Sequence, residues 1–307
     1  METDSGTAAG VWTLQAWNRS MDAVIVWVDT AGKEYRRERI TDIRTSHDDC
    51  LAAGTGTGRQ DLCLTLGAIL RFFSDLDRLF LITPTPAAWS TAFMEANFPD
   101  RASDLRTVSF REVFHDMEGY LPSFSSTSAI TLLYRAEFLD SSFTLFTPGC
   151  IPLAPFDSSN LMKDGSPLYC CSKARVPSGG RIRKLMIPCP TPMVLTKKLL
   201  ESYLTEHPGL LAETLRHRFD SMDPHADIRT LLANAPGSGS RYHVHEEKVH
   251  GTGILRLSPD IGADLEDTIG TAGRFRFLEL APLASFQDEK QRAIIDFLCH
   301  LLQIRFP

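Results

Sequence analysis

The acid Asp29 closes the segment "DAVIVWVDT", which runs from Asp22 to Thr30. A nearly continuous apolar run of this length predicts a buried parallel strand. In α/β sheets, ligands bind beyond the carboxyl ends of such strands, which is where Asp29 stands. Its carboxylate could accept hydrogen bonds from a ribose or coordinate a metal, and the structural alternative is that it caps the next helix. Asp29 is therefore a candidate catalytic residue.

A second predicted strand, "SFTLF", ends in Thr147-Pro148-Gly149-Cys150 and carries no acid at its tip. Thr147 is a candidate ligand-binding residue there. Cys150 could contact a ligand or act as a nucleophile if a neighbour lowered its pKa, and the alternative is a buried, unreactive thiol. Because carboxylates are the usual ligands of Mg²⁺ and Ca²⁺, their absence argues against a divalent metal at this tip and leaves any cofactor unassigned.

Two other segments combine side chains that can ligate metals. One is the loop "HDD"; the other is "HVHEE", in which two histidines two residues apart would share one face of a strand. The residues are His47, Asp48 and Asp49 in the first segment, and His243, His245 and Glu247 in the second. The first could be a relocated metal site and the second could hold zinc or iron, whereas solvated polar surface is the alternative for both.

Cations in two places could neutralise a phosphate. Arg59 and Asp61 open a predicted helix, where Arg59 could reach a phosphate and Asp61 favours the helix dipole, and both are candidate ligand-binding residues. The segment "SGGRIRK" could cradle a phosphate with backbone amides, or it could be a mobile basic loop. Its cations are Arg181, Arg183 and Lys184.

Composition excludes several classes of protein. The 307 residues are 43% hydrophobic and 23% charged, so a packed core is expected. The net charge of −6 argues against a nucleic-acid-binding protein. No apolar stretch is long enough to span a bilayer, the first 20 residues do not resemble a secretory signal, and the seven cysteines form no C-x-x-C pair. These features predict a cytoplasmic protein.

The elements that position these residues alternate between strands and helices. Apolar runs at residues 22–30, 78–83 and 142–147 predict buried strands, and helical spacing of apolar residues lies between them. This alternation predicts an α/β fold with a mostly parallel sheet flanked by helices and a C-terminal helical portion. We expect an N-terminal extension over residues 1–20, an α/β core over 21–175, and a region over 176–307 that completes the same fold.

The order of several segments resembles the Stealth family of hexose-1-phosphate transferases. The family's D-V-V-x-T-W-V-[DN]-G strand is similar to "DAVIVWVDT", its N-[DE]-L-R-Y-S-L-R-S-I helix to "RQDLCLTLGAI", and its L-P-T-F-N-S element to "LPSFSS". Its R-F-L-Y-F-N-D-D strand is similar to "SFTLFTPG" and its H-R-F-R element to "HRFD". The resemblance spans residues 21–307 and implies a fold of the nucleotide-diphospho-sugar transferase type.

The resemblance keeps apolar positions and loses most polar ones. Its N-D-D falls on Thr147-Pro148-Gly149, its histidine on Pro190, and its second H-R-F-R arginine on Asp220, which would repel a phosphate. The matching polar residues that remain include Asp29 and three more candidates for the site. These are Arg135 for phosphate charge, and His217 and Arg218 for the acceptor or the phosphate.

Sugar-phosphate transfer needs positive charge on the diphosphate and a positioned proton acceptor. The resemblance to the family, together with the replacement of most of its polar residues, therefore implies a divergent transferase that binds a nucleotide, a sugar or a phosphate-bearing ligand. Its ancestral reaction would be lost or replaced by another transfer. The first alternative is a non-catalytic pseudoenzyme that serves as a partner or scaffold, with a protein partner or a homo-oligomer. The second is a metal-dependent enzyme that uses His243 and His245.

Overall fold

The computed structural model describes residues 20–30, 32–46, 58–85, 87–178, 181–220, 227–235, 243–246, 254–257, 259 and 276–306. Within this part of the chain the strands are β1 Met21–Val26, β2 Leu76–Thr83, β3 Leu105–Ser109, β4 Ser142–Phe146, β5 Cys150–Pro152, β6 Met162–Lys163, β7 Ser166–Ser178, β8 Arg181–Pro188, β9 Met193–Thr196, β10 His243–Glu246, β11 Ile254–Leu257 and β12 Phe277–Leu280.

Helices flank these strands. They are α1 Lys33–Ser46, α2 Arg59–Phe72, α3 Ala88–Asn97, α4 Phe110–Val113, α5 Ser126–Leu132, α6 Lys197–Glu206, α7 Leu210–Arg216, α8 Ile228–Asn234 and α9 Asp288–Leu302. Helix α5 is short, because it passes into a 3₁₀ turn at Leu133–Arg135. Pro208 lies in the break between α6 and α7.

The central sheet has the strand order β3-β2-β1-β4-β9. Strands β1 to β4 pair in parallel, with Val24 opposite Phe80 on one side and Leu145 on the other, whereas β9 runs antiparallel to β4. The predicted α/β class with a mostly parallel sheet is therefore confirmed. The chain winds outward from β1 through β2 and β3 and then returns to the other side of β1 as β4. The carboxyl ends of β1 and β4 consequently flank a topological switch point, where α/β sheets bind ligands.

Alternation along β1 divides the core into two layers. Ala23, Ile25 and Trp27 face one layer with α2 and α9, and Val24, Val26 and Val28 face the other with α5 and α6. All six of these side chains are buried, as expected for a central parallel strand covered by helices on both faces. Packing on both sides fixes β1, so the residues that follow it start from a rigid edge.

Two smaller sheets complete the fold. Strand β5 joins β11 and β12 beneath α2, and the long β7–β8 hairpin pairs with β6 and β10. The segment "SGGRIRK", interpreted from sequence as a glycine loop that could cradle a phosphate, instead enters this hairpin, since Ser178 pairs with Arg181. Strand β7 also crosses the boundary expected at residue 175. Among the residues that the structure describes, no helix combines the length and apolar character that crossing a bilayer requires.

Candidate functional site

A cavity of about 220 Å³ opens at the carboxyl ends of β1 and β2, under the first turn of α1. Its lining residues are Trp27, Val28, Asp29, Gly32, Lys33, Glu34, Tyr35, Thr83, Pro84, Thr85, Ala87, Trp89 and Phe124. Drug-sized ligands usually occupy about 300–1,000 Å³, so this cavity suits part of a ligand rather than a whole one. It lies at the edge of the sheet where the sequence placed Asp29.

Aromatic rings form two walls of the cavity. Trp27 and Trp89 meet edge to face with 5.8 Å between ring centroids, and Tyr35 meets Phe124 in the same way at 5.7 Å. Behind the second wall, Phe219 stacks on Phe124 at 5.5 Å. Trp27 and Phe124 are buried behind Trp89 and Tyr35, which are partly exposed and can offer surface to a planar ligand group. A heterocyclic base is such a group.

Polar atoms cluster on the floor and rim of the cavity. Asp29 is exposed at the end of β1 and begins a tight turn, in which the Gly32 amide donates to the Asp29 carbonyl oxygen over 3.0 Å. A side chain at Gly32 would lie 3.2 Å from Asp29 Oδ2, so glycine keeps the carboxylate uncovered. Across the rim, Thr85 Oγ1 donates to Glu34 Oε2 over 3.0 Å and joins the β2 end to α1.

Arg59 reaches the outer side of the tryptophan wall. Its guanidinium lies 4.6 Å from the Trp89 ring centroid in a cation–π contact. The side chain is otherwise exposed at the first turn of α2. Of the residues selected from the sequence, Asp29 therefore lines the cavity and Arg59 borders it.

At the tip of β4, an arginine from α8 reaches Thr147. Arg229 Nη1 donates to Thr147 Oγ1 over 3.3 Å, and Arg229 Nε lies 3.0 and 3.2 Å from the two carboxylate oxygens of Asp227. Burial acts to lower the pKa of Arg229, but the charge and hydrogen bond of Asp227, together with the charge of Asp220, outweigh it and raise the pKa. A cation therefore stands beside the strand tip that lacks carboxylates.

Gly149 and Cys150 belong to the packing of this tip. Gly149 adopts a left-handed φ of 86°, and a Cβ there would lie 2.8 Å from the Leu280 carbonyl oxygen. Cys150 is 0% exposed, and burial raises the pKa of its thiol far above the ordinary value. The geometry places the Cys150 thiol in the packed core, which agrees with the alternative of a buried thiol.

Asp61 stabilises the start of α2 instead of facing a ligand. It is 1% exposed; its Oδ2 accepts the Gly58 amide over 2.6 Å and its Oδ1 accepts the Leu283 amide over 3.0 Å. Burial raises the pKa of Asp61, and the two amides oppose that effect. This carboxylate joins the α2 start to the segment after β12, which explains why an acid is needed there.

The remaining predicted cations lie away from the cavity lining. Arg218 Nε donates to the Pro122 carbonyl oxygen over 3.0 Å, and its Nη2 pairs with Glu38 at 3.3 Å. His217 is partly exposed at the end of α7 and lies 4.0 Å from Glu213. Arg218 therefore joins α1 to the segment before Phe124, behind the Tyr35–Phe124 wall, whereas the His217 contact stays with α7.

Arg135 contacts Asp116 at 3.6 Å, at the end of the 3₁₀ turn that follows α5. Its Nη1 is buried and has no hydrogen-bond partner among the described residues. Neither residue lines the cavity. The geometry places Arg135 between helical turns rather than at the ligand edge of the sheet.

Asp220 caps the N-terminus of α5. Its carboxylate accepts hydrogen bonds from Ser125 Oγ over 3.1 Å, Ser126 Oγ over 2.7 Å and the Thr127 amide over 3.0 Å. At this position the resemblance expects an arginine that would bind a phosphate. The carboxylate instead satisfies free backbone and hydroxyl donors at a helix start.

The predicted metal segments lie at or beyond the limits of the described residues. His47, Asp48, Asp49 and Glu247 are outside them, and His243 and His245 belong to β10, whose backbone pairs with β7. In the described part of the chain, one group of three carboxylates lies close enough to hold a cation: Asp22, Asp77 and Asp140. The Arg78 guanidinium already fills that group, with Nη2 lying 2.8 Å from Asp22 and 3.3 Å from Asp140.

Comparisons with known proteins give matches to structures only. No protein-family model matches the sequence, and no curated protein matches it. The resemblance to the Stealth family therefore remains a prediction. Among solved structures, the galactosyltransferase LgtC in complex with donor and acceptor sugar analogs is 10% identical with a TM-score of 0.49, covering 94% of this chain and 97% of that one.

Two further structures show similar coverage. The glycosyltransferase GlyE of Streptococcus pneumoniae TIGR4 is 10% identical with a TM-score of 0.47, over 93% of this chain and 63% of that one. The inositol-1-phosphate CTP transferase of T. maritima is 8% identical with a TM-score of 0.40, over 93% and 97%. Because only about one residue in ten is identical, these matches do not indicate the role of any side chain in this chain.

Sequence reasoning missed the aromatic walls and the strand-tip arginine. Trp89 follows the proline-rich segment "TPTPAA", and Phe124 lies within "LPSF", where each reads as an ordinary apolar residue. Arg229 lies 82 residues after Thr147, and only the local signal of Asp227 two residues earlier marks a helix start. No spacing rule connects these positions, because they meet through the topology of the sheet.

Proposed function

We propose that this protein is a divergent transferase-fold protein that binds a nucleotide, with the nucleoside part in the cavity at the ends of β1 and β2. The observation that supports the proposal is the combination of two ordered aromatic walls with an exposed carboxylate, Asp29, at the ligand-binding edge of the sheet. The volume of about 220 Å³ suits a base with its ribose.

Each part of the cavity has a chemical role in this proposal. The base lies against Trp89 or Tyr35, and base–aromatic stacking is worth about 1–3 kcal/mol. The Asp29 carboxylate accepts hydrogen bonds from the ribose hydroxyls, and a hydrogen bond to a charged group contributes about 1.5–3 kcal/mol. The phosphates then extend toward the switch point between β1 and β4.

The ancestral sugar-phosphate transfer is lost or replaced in this proposal. That reaction breaks the bond between the two phosphates, moves the sugar phosphate to an acceptor hydroxyl, and releases a nucleoside monophosphate. Transfer of the sugar alone breaks the bond between the sugar carbon and the phosphate oxygen, and releases a nucleoside diphosphate. In both reactions the acceptor hydroxyl gives up its proton. The released nucleotide therefore distinguishes the two reactions without knowledge of the acceptor.

Binding is tested by titrating the protein with nucleoside mono- and diphosphates of the four common bases. Trp27 and Trp89 line the cavity, so tryptophan fluorescence reports occupancy directly, and calorimetry supplies the affinity. We expect saturable binding of at least one base, and an affinity about 10- to 100-fold weaker in Asp29→Asn, from the loss of charge-assisted hydrogen bonds. Asp77→Asn, at the opposite end of the sheet, is the matched control.

The outcomes of that titration are clear-cut. Binding that persists unchanged in Asp29→Asn refutes the assignment of the ribose site. If no nucleotide binds to the wild-type protein, the nucleotide proposal fails. Incubation of the protein with nucleotide sugars and separation of the released nucleotides then identifies any transfer that remains.

A non-catalytic partner or scaffold is the second candidate. It is favoured by Asp220, which caps α5 at a position where the resemblance expects a phosphate-binding arginine. In that case nucleotides bind without any release of mono- or diphosphate, and the protein purifies in a stable complex with another chain. Slow but measurable nucleotide release that Asp29→Asn abolishes would reject the scaffold.

A further inference from the structure

We propose that Arg229 is the fixed cation that binds the phosphate groups of the nucleotide, in place of a metal ion. This inference rests on the proposed function and assigns the diphosphate part of the ligand to the β4 tip. The ligand class is a nucleoside diphosphate or its sugar ester.

The guanidinium of Arg229 is held from two sides. Arg229 Nε lies 3.0 and 3.2 Å from the two carboxylate oxygens of Asp227, and the Arg229 backbone amide donates to Asp227 Oδ1 over 3.0 Å. The carboxylate therefore fixes the guanidinium relative to the start of α8. On the other side, Nη1 donates to Thr147 Oγ1 over 3.3 Å. Nη2 makes no hydrogen bond to any described residue. A guanidinium fork fixed in this way needs little reorganisation to bind a phosphate.

The position of this fork agrees with the path expected for the phosphates. Ile25 pairs with Phe146, so Thr147 lies beside Val26, one residue before the cavity wall at Trp27. The register therefore places the β4 tip, which Arg229 contacts, beside the strand that ends at the cavity wall.

The tip of β4 itself carries no carboxylate that could ligate a metal. Pro148 and Gly149 offer no side-chain oxygen, and the left-handed backbone at Gly149 with the Leu280 carbonyl oxygen beside it leaves no room for a carboxylate. Transfer from a nucleoside diphosphate nevertheless requires positive charge on the phosphates. Arg229 is the cation that the described residues bring to this tip, and its side chain is 23% exposed, so it can reach a ligand.

The test compares nucleoside and nucleoside diphosphate binding in the presence of a metal chelator. We expect the wild-type protein to bind the diphosphate at least ~10-fold more tightly than the nucleoside, because charge-assisted hydrogen bonds to phosphate add to the nucleoside contacts. Arg229→Met should lose most of that difference and keep the nucleoside affinity within about twofold, while Arg229→Lys should be intermediate, since lysine offers a point charge without the fork. Arg216→Met removes an exposed arginine of the neighbouring α7 and is the matched control.

Three results would overturn the inference. The first is an unchanged diphosphate affinity in Arg229→Met. The second is a gain of about tenfold or more when Mg²⁺ or Mn²⁺ replaces the chelator, because a metal would then hold the phosphates. The third is an equal loss of nucleoside and diphosphate affinity, which identifies Arg229 as a structural residue. Thr147→Val keeps the charge and removes its anchor, so it should reduce only the diphosphate affinity, and urea unfolding of each variant verifies folding.

Inorganic pyrophosphate separates failure of this inference from failure of the proposed function. If no nucleoside binds but pyrophosphate binds the wild-type protein and not Arg229→Met, the phosphate site stands and the nucleoside site is rejected. If nucleosides bind and pyrophosphate binding is independent of Arg229, the nucleoside site stands and the phosphate site at Arg229 is rejected. If neither probe binds, both assignments are wrong.

Discussion

Replacement of Gly149 tests why the β4 tip carries no acid. The residue has a φ of 86°, which L-residues with a side chain adopt at a cost of about 1–2 kcal/mol. A Cβ would also lie 2.8 Å from the Leu280 carbonyl oxygen. That oxygen cannot move away easily, because the Leu280 amide donates to the Gly149 carbonyl oxygen over 2.9 Å and β12 pairs on both sides.

The cost of the left-handed backbone and the cost of the overlap with the Leu280 carbonyl oxygen add. Forced overlap in a packed interior typically costs about 1–3 kcal/mol, so Gly149→Ala should lower the free energy of unfolding by about 2–5 kcal/mol in total. This is a large part of the 5–15 kcal/mol that holds an ordinary domain together. Gly149→Asp should be at least as destabilising and should bind no Mg²⁺ or Mn²⁺, although it restores a carboxylate to the tip.

Gly165 provides the matched control. It also has a left-handed φ, of 75°, but a Cβ there would meet no atom within 4 Å. Gly165→Ala should therefore cost only the backbone term of about 1–2 kcal/mol. Urea unfolding followed by far-UV circular dichroism measures both variants, provided that the m-values agree. The reasoning is refuted if Gly149→Ala is no more destabilising than Gly165→Ala.

Two further predictions concern buried groups. Burial raises the pKa of Asp61 in the folded state above its ordinary value of 3.8. Between the pKa of the unfolded state and that of the folded state, the folded protein keeps a proton that the unfolded chain releases. The free energy of unfolding should therefore fall as pH rises through that interval. Urea unfolding at a series of pH values should show this fall in the wild-type protein relative to Asp61→Asn, and a relative gain with rising pH would contradict it. Burial also raises the pKa of the Cys150 thiol, so pulsed alkylation with mass spectrometry should modify Cys150 at least ~10-fold more slowly than the partly exposed Cys170 in the native protein. Labelling of both at equal rates would mean that the β4 tip opens to solvent.

Local patterns predicted much of the central fold. Continuous apolar runs identified β1, β2 and β4 as buried parallel strands, because such strands are covered on both faces. The segment "SGGRIRK" was interpreted as a loop, whereas in the structure it enters the β7–β8 hairpin, where Ser178 pairs with Arg181, because glycine is favoured in hairpin turns as well as in loops.

The site was predicted less completely. Asp29 could be placed at the ligand edge because a strand end is a local signal, and Arg59 because it opens a helix. Asp61 and Cys150 looked equally suitable in the sequence, yet one is a helix cap and the other a core thiol. Burial separates them, and burial depends on which elements pack over a residue.

The sequence by itself determined that the chain forms an α/β sheet, that Asp29 follows its central strand, and that the β4 tip has no carboxylate. Only the tertiary structure decided that Trp89 and Tyr35 face one cavity and that Arg229 reaches Thr147. The physical reason is range. Hydrophobic periodicity reflects contacts within a few residues, whereas the crossovers that carry the chain from β1 to β4 bring together side chains separated by tens of residues.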